Sequence, residues 1–162
     1  MARPRWIVCL IALSLLLGGA ALHISAAPPK HVEIEWRSNL DEAHEQAVKQ
    51  NKPMLLVFEA EWCRYCKKLR KETLAHPQLA AHINRSFVPV HLDVDLPEDK
   101  RVAEILEVKP LPCTIVLSPD ADLLTRKVGF IDAEAFYSAL EDARRLQEKI
   151  RLGGHALDIL QK

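Results

Sequence analysis

The run Met54, Leu55, Leu56, Val57, Phe58 constrains this chain more than any other stretch. It is apolar without alternation, closes with Glu59 and Ala60, and opens directly into Trp62, Cys63, Arg64, Tyr65 and Cys66. A continuous apolar run of this kind reads as a strand buried on both faces, hence as the middle of a sheet covered on two sides. After Trp62 the residues change to helix chemistry, with Cys66, Leu69 and Leu74 on the following helix. Cys63 thus falls where strand gives way to helix, and the cysteine pair sits at a helix N-terminus.

The rest of the chain fits around that strand. Val32, Ile34 and Trp36 alternate with polar neighbours and predict a first strand after a short connector. Ser38 is positioned to cap a helix with Asp41 and Glu42 in its first turn and Leu40, Ala43, His44, Ala47 and Val48 at helical spacing, ended by Asn51 and Pro53. Pro77 interrupts the helix that carries Cys66. Phe87 to Asp95 reads as a strand, and Pro89 within it points to a sheet edge. Pro97 to Leu106 is predicted helical with Val102, Ile105 and Leu106 inward. Cys113 to Leu117 and Leu123 to Val128 flank the turn Ser118 to Asp122 as an antiparallel hairpin. A last helix, capped by Asp132, buries Phe136, Leu140, Ala143 and Ile150 and stops at Gly153 and Gly154. Strands and helices in alternation, closed by a hairpin, imply an α/β fold with a mixed central sheet and helices on both faces.

With 162 residues, 49% apolar and 27% charged, the chain holds one globular domain rather than two. The first residues stand apart from it. Arg3 and Arg5 precede an uncharged apolar run from Trp6 to Leu22, the pattern of an export signal. The run is longer than the usual signal core of about 7 to 15 residues and sits at the lower end of the about 17 to 25 that span a bilayer, so cleavage and retention as an anchor both stay open. The boundaries read as 1–27 for this leader, 28–37 for the connector and first strand, 38–150 for the domain and 151–162 for a C-terminal tail. An exported, periplasmic protein is expected, held to the inner membrane only where the leader is kept.

Loss of the leader removes Arg3 and Arg5 from the 22 basic residues and leaves 20 against 22 acidic, a net charge near −2. With no basic stripe interleaved with aromatics, nucleic acid is not an expected partner. Of four cysteines, Cys9 lies in the leader, leaving Cys63, Cys66 and Cys113. An odd number in an oxidising compartment leaves at least one thiol outside an internal disulfide.

Two cysteines spaced as Cys63 and Cys66 on the first turn of a helix can bond to each other in unequal surroundings. Cys63, nearer the unpaired N–H groups, is the expected nucleophile, and Cys66, a turn deeper, the resolving thiol. Half of a zinc site is the competing reading, but no second pair exists and only Cys113 and scattered histidines could complete one; no residues are assigned to a metal. Haem attachment is excluded because Lys67 follows Cys66. The chemistry asks for no bound cofactor.

Glu61, Trp62, Cys63, Arg64, Tyr65, Cys66 and Lys67 resemble the active-site segment of the thioredoxin-like family, with Leu111 and Pro112 in place of its cis-proline loop. Ala60 to Lys68, Leu111 to Leu117 and Val128 to Phe136 look like the C-terminal thioredoxin-like domain of the bacterial thiol:disulfide interchange proteins, over about residues 38 to 145. The resemblance implies a thioredoxin fold and a cis Pro112 beside the cysteines. Trp62, Arg64, Tyr65, Leu111 and Pro112 would then support the site and hold an incoming peptide.

Departures from the family pattern carry their own expectations. The buried Asp that serves the second cysteine as proton acceptor is replaced by Val57, with Glu59 or Glu61 as candidate substitutes. Arg64 and Tyr65 replace Gly and Pro; a cation beside Cys63 would favour its thiolate, against the plainer reading of a solvated arginine. Lys67, Lys68, Arg70 and Lys71 read as a solvated helix face. Cys113 takes the place of a Thr as a buried, inert thiol or a third redox player. The histidines show no ligand spacing. The expected protein is a monomeric disulfide reductase or interchange protein, acting on disulfide-bearing proteins and recharged by a membrane or periplasmic thiol donor. A non-catalytic module binding a metal or a partner peptide is the alternative.

Overall fold

A computed structural model describes residues 32–160, with side chains through residue 153. The expected leader, Cys9 and the start of the connector lie outside the described residues. The chain order is α1 (Leu40–Gln50), β1 (Met54–Glu59), α2 (Arg64–Leu69), a π-helical turn (Arg70–Leu74), α3 (Pro77–Ser86), β2 (Val88–Asp93), α4 (Pro97–Ile105), β3 (Cys113–Leu117), β4 (Leu123–Val128) and α5 (Ala133–Leu160). The four strands form one mixed sheet in the order β2-β1-β3-β4, parallel between β1 and β2 and antiparallel elsewhere.

The apolar run is central, and every residue of β1 is buried. Strand alternation sends Met54, Leu56 and Phe58 to one face, against Ala43 and Ala47 of α1 and Ala103 of α4. Leu55 and Val57 go to the other, against Leu69 of α2, Leu79 and Ile83 of α3, and Phe136 and Leu140 of α5. Burying a large apolar side chain contributes about 1.5 to 3 kcal/mol, so two such layers pin the end of β1, and with it the start of α2. Pro77 opens α3 at its first turn, where its missing N–H costs nothing. Among the described residues no helix is long and apolar enough to cross a membrane.

Several local expectations are corrected. Residues 32–36 form no strand: the only pairing there is a single parallel bridge, Arg37 to Val90, with Arg37 N–H donating to Pro89 O and His91 N–H to Arg37 O. Extending that ladder would need an N–H from Pro89, which has none. Asn84 takes over instead, its Oδ1 accepting Glu35 N–H and its Nδ2 donating to Glu33 O. Proline on β2 does mark an edge, since β2 ends the sheet. The cap of α1 is Asn39 rather than Ser38, its Oδ1 accepting Glu42 N–H at 3.0 Å. On α4, Ile105 faces solvent and Ala103 is the buried residue. Asp132 caps α5 as expected, but the helix continues past Gly153 and Gly154 to Leu160, and Ile150 is exposed. Each glycine costs a helix only about 1 kcal/mol relative to alanine, so the pair lowers helicity without ending it.

Candidate functional site

Cys63 and Cys66 are joined in a disulfide, with Cα atoms 5.2 Å apart. Two elements place them. The buried end of β1 delivers Ala60, whose carbonyl accepts Cys63 N–H, and Cys63 then serves as the N-cap of α2 in extended conformation. Its Sγ accepts the N–H of Cys66 at 3.1 Å. A reactive sulfur thus fills the capping role that Ser or Asp plays in most helices. Cys63 keeps 6% of its surface exposed and Cys66 none. A group approaching from solvent therefore meets the first sulfur before the second.

Ala60 and the two cysteines form a small apolar cluster, closed by Val94 and Leu111. The Leu111–Pro112 peptide is cis, as the family resemblance implies. Pro112 O accepts Gly129 N–H at 2.7 Å, and Gly129 has φ +84°, a conformation costly for any residue with a Cβ. This bond ties the end of β4 to the loop that covers the cysteines. At the rim, Trp62 is 69% exposed with Nε1 donating to Asp95 Oδ1 at 3.0 Å, and Tyr65 is 59% exposed. Arg64 is exposed at the first position of α2.

Of the residues considered as proton acceptors, Val57 is fully buried among apolar neighbours. Glu59 shares its face but turns to other partners: Oε2 bonds His91 Nε2 at 2.9 Å and lies 3.7 Å from Arg70 Nε, while Oε1 has none. Glu61 is exposed, and Lys67, with Arg70 behind it, holds its carboxyl below the usual carboxylate range. Cys113 is a free thiol, 1% exposed, on the layer with Phe58 and Ile115. Burial pushes its thiol up, against a weak opposing pull from Arg126. Among the described residues no group of three or more His, Cys, Asp or Glu is placed to hold a metal ion.

Sequence patterning assigns no role to Asp95 or His91, yet both reach the site's surroundings. Asp95 meets Trp62 across 33 positions. His91 stands opposite Val57 in the β1–β2 register, a polar residue at an alternate position of β2 whose side chain falls on the face of Val57 and Glu59. Its place in the strand is the signal that could have found it.

A redox-bonded cysteine pair that caps the helix after a central strand, with a cis proline loop packed beside it, defines a class: the thioredoxin-fold protein-disulfide oxidoreductases. The family model of the thioredoxin-like domain matches residues 40–144, and the chain belongs to that family. It is similar to the thiol:disulfide interchange protein DsbD of Salmonella typhimurium, 27% identical over 122 residues that make up 73% of this chain and 22% of that protein. The chain thus spans about a fifth of the length of the curated relatives it matches. Among solved structures, the oxidised C-terminal domain of Neisseria meningitidis DsbD is 25% identical with a TM-score of 0.57, over 67% of this chain and 98% of that domain. A thioredoxin from Thermus thermophilus shares the fold at a TM-score of 0.67 and 23% identity, over 76% of this chain and 96% of its own.

Proposed function

We propose that this chain is an exported disulfide reductase or interchange protein whose reduced Cys63–Cys66 pair passes two electrons to a protein disulfide. The observation that carries this reading is the site's asymmetry: Cys63, which keeps a small part of its surface exposed, receives the Cys66 N–H on its sulfur, while Cys66 has no exposed surface. In the reduced protein the same N–H stabilises a thiolate on Cys63. That thiolate attacks one sulfur of the substrate disulfide, forming a mixed disulfide and releasing the other sulfur as a thiolate. Cys66, giving up its proton, then attacks Cys63 Sγ. The Cys63–Cys66 bond reforms and the second substrate thiolate leaves. The substrate is reduced by two electrons and the protein is oxidised by two; the proton lost by Cys66 and one taken from solvent end on the two released thiols.

The rim has a role in this scheme. Trp62, Tyr65 and Leu111 offer apolar contact around the cysteine pair, and the backbone beside Pro112 pairs with an extended substrate segment. Arg64 adds positive charge next to the thiolate, and Cys113 takes no part. A membrane or periplasmic thiol donor restores the dithiol. Export rests on the charged start and apolar run of residues 1–27, with residues 38–150 as the working domain.

The test is turnover of a protein disulfide such as insulin by wild type, Cys63→Ser and Cys66→Ser. Cys63→Ser should be inactive, and Cys66→Ser should accumulate a mixed disulfide visible by mass. Turnover that survives Cys63→Ser refutes the assignment. A potential measured in glutathione buffers decides direction: a value nearer the about −270 mV of thioredoxin supports a reductase, and one nearer the about −120 mV of DsbA overturns it.

A further inference from the structure

Five cations follow Cys63 on α2 and the π-helical turn: Arg64, Lys67, Lys68, Arg70 and Lys71. Three have anionic partners. Lys67 Nζ lies 3.0 Å from Glu61 Oε1, Lys68 Nζ lies 3.8 Å from Glu72 Oε2, and Arg70 Nε lies 3.7 Å from Glu59 Oε2. Arg64 and Lys71 are exposed and have no anionic partner among the described residues. Together with Tyr65, Lys67, Lys68 and Glu72 they line an open cleft of about 520 Å³. Arg64 follows Cys63 directly in the chain, so one wall of the cleft begins at the residue after the nucleophile. Exposed ion pairs contribute only about 0 to 1 kcal/mol each, so Lys67 and Lys68 can exchange their carboxylates for those of a ligand at little cost.

We propose that this cleft docks a protein segment carrying carboxylates on one side of its disulfide, so that acidic disulfide substrates are exchanged faster than basic ones. The inference rests on the exchange reading above and adds the class of substrate to it. Two uncompensated positive charges on the helical segment that starts at Cys63 draw in an anionic segment and repel a cationic one, raising the encounter rate. A concave cleft with Tyr65 exposed at its wall fits an extended peptide, whose apolar parts can lie on the ring, better than a flat anionic membrane.

The test uses the full chain, reduced, with two peptides of equal length bearing the same disulfide, one flanked by Glu and Asp and the other by Lys. The neutral disulfide 2,2′-dithiodipyridine is the reference. At an ionic strength of about 0.01 M, where the screening length is about 30 Å, the acidic peptide should react about tenfold faster than the basic one. At about 1 M, where screening is complete within about 3 Å, the ratio should fall close to one. Lys71→Glu should reduce the acidic peptide's rate severalfold and leave the rate with dithiodipyridine unchanged. Equal peptide rates at low salt, with dithiodipyridine still reduced, overturn the docking inference alone. No reaction with any disulfide overturns the exchange reading and this one with it. Sedimentation with anionic vesicles, combined with equal peptide rates, would assign the charge to a membrane instead.

Discussion

Glu59→Leu should stabilise this protein although it removes a hydrogen bond to His91 and an ion pair with Arg70. The Glu59 side chain is 2% exposed, and its Oε1 is buried with no hydrogen-bond partner. A buried acceptor left unpaired costs about 1 to 3 kcal/mol. Against this stands the attraction of Oε2 to His91 at 2.9 Å and to Arg70 at 3.7 Å. Both partners are more than a third exposed, 37% and 43% of their side chains, and recover hydration once the carboxylate is gone. Their share is therefore discounted toward the about 0 to 1 kcal/mol of surface pairs. Leucine finds apolar neighbours in Ile34, Trp36 and Leu74, which line the adjoining cavity. The balance favours leucine by about 1 kcal/mol, which corresponds to a rise in Tm of about 3 °C for a domain of this size. Urea and thermal unfolding of the oxidised wild type, Glu59→Leu and Glu59→Gln measure it. Glu59→Leu should also leave the pH profile of exchange unmoved, because its partners are His91 and Arg70 and not a cysteine. A loss of more than about 1 kcal/mol would show that the His91 and Arg70 contacts outweigh the orphaned oxygen. A shifted pH profile would make Glu59 the proton acceptor that Val57 cannot be.

Cys113 should resist alkylation in the folded protein at neutral pH and react once unfolded, because burial raises its thiol; labelling under native conditions would reopen it as a third redox thiol. His82 of α3 packs on Tyr137 of α5 at 4.4 Å and lies near Phe87, with Nε2 3.2 Å from Glu141 Oε1 but not aligned for a hydrogen bond. Burial lowers its pKa, Glu141 opposes that shift, and Arg85 and Arg144 reinforce it. The unfolded chain thus binds a proton that the folded chain refuses. The contribution of His82 is complete above about pH 6.5 and is lost as the pH falls below that value, so the urea midpoint of wild type should drop on acidification more than that of His82→Phe. Equal slopes would refute this. Phe136→Ala should cost about 3 to 5 kcal/mol by opening a cavity in the layer beneath α5, read from the same unfolding curves; a loss under about 1 kcal/mol would mean the site collapses.

Local chemistry was enough for the parts of this protein written in consecutive residues. The apolar run of β1 announces a strand covered on both faces, because five consecutive apolar residues put apolar side chains on each face in turn. The change to helix chemistry after Trp62 places Cys63 at the junction, and the turn from Ser118 to Asp122 folds β3 onto β4. Family resemblance, rather than any residue pattern, supplied the cis Pro112. What lies between distant segments was decided only in three dimensions. Val32 to Trp36 alternates like a strand, yet Pro89 of β2 lacks the N–H that a ladder needs, and Asn84 of α3 takes the backbone groups instead. Whether Glu59 serves Cys66 or His91 depends on the β1–β2 register, and the freedom of Arg64 and Lys71 depends on which carboxylates reach their neighbours. Ile105 shows the same limit within one helix: periodicity defines an apolar stripe, but only packing against the sheet sets which way α4 is rotated. A sequence records the donors, acceptors and apolar groups that each segment carries; their pairing is a property of the assembled sheet.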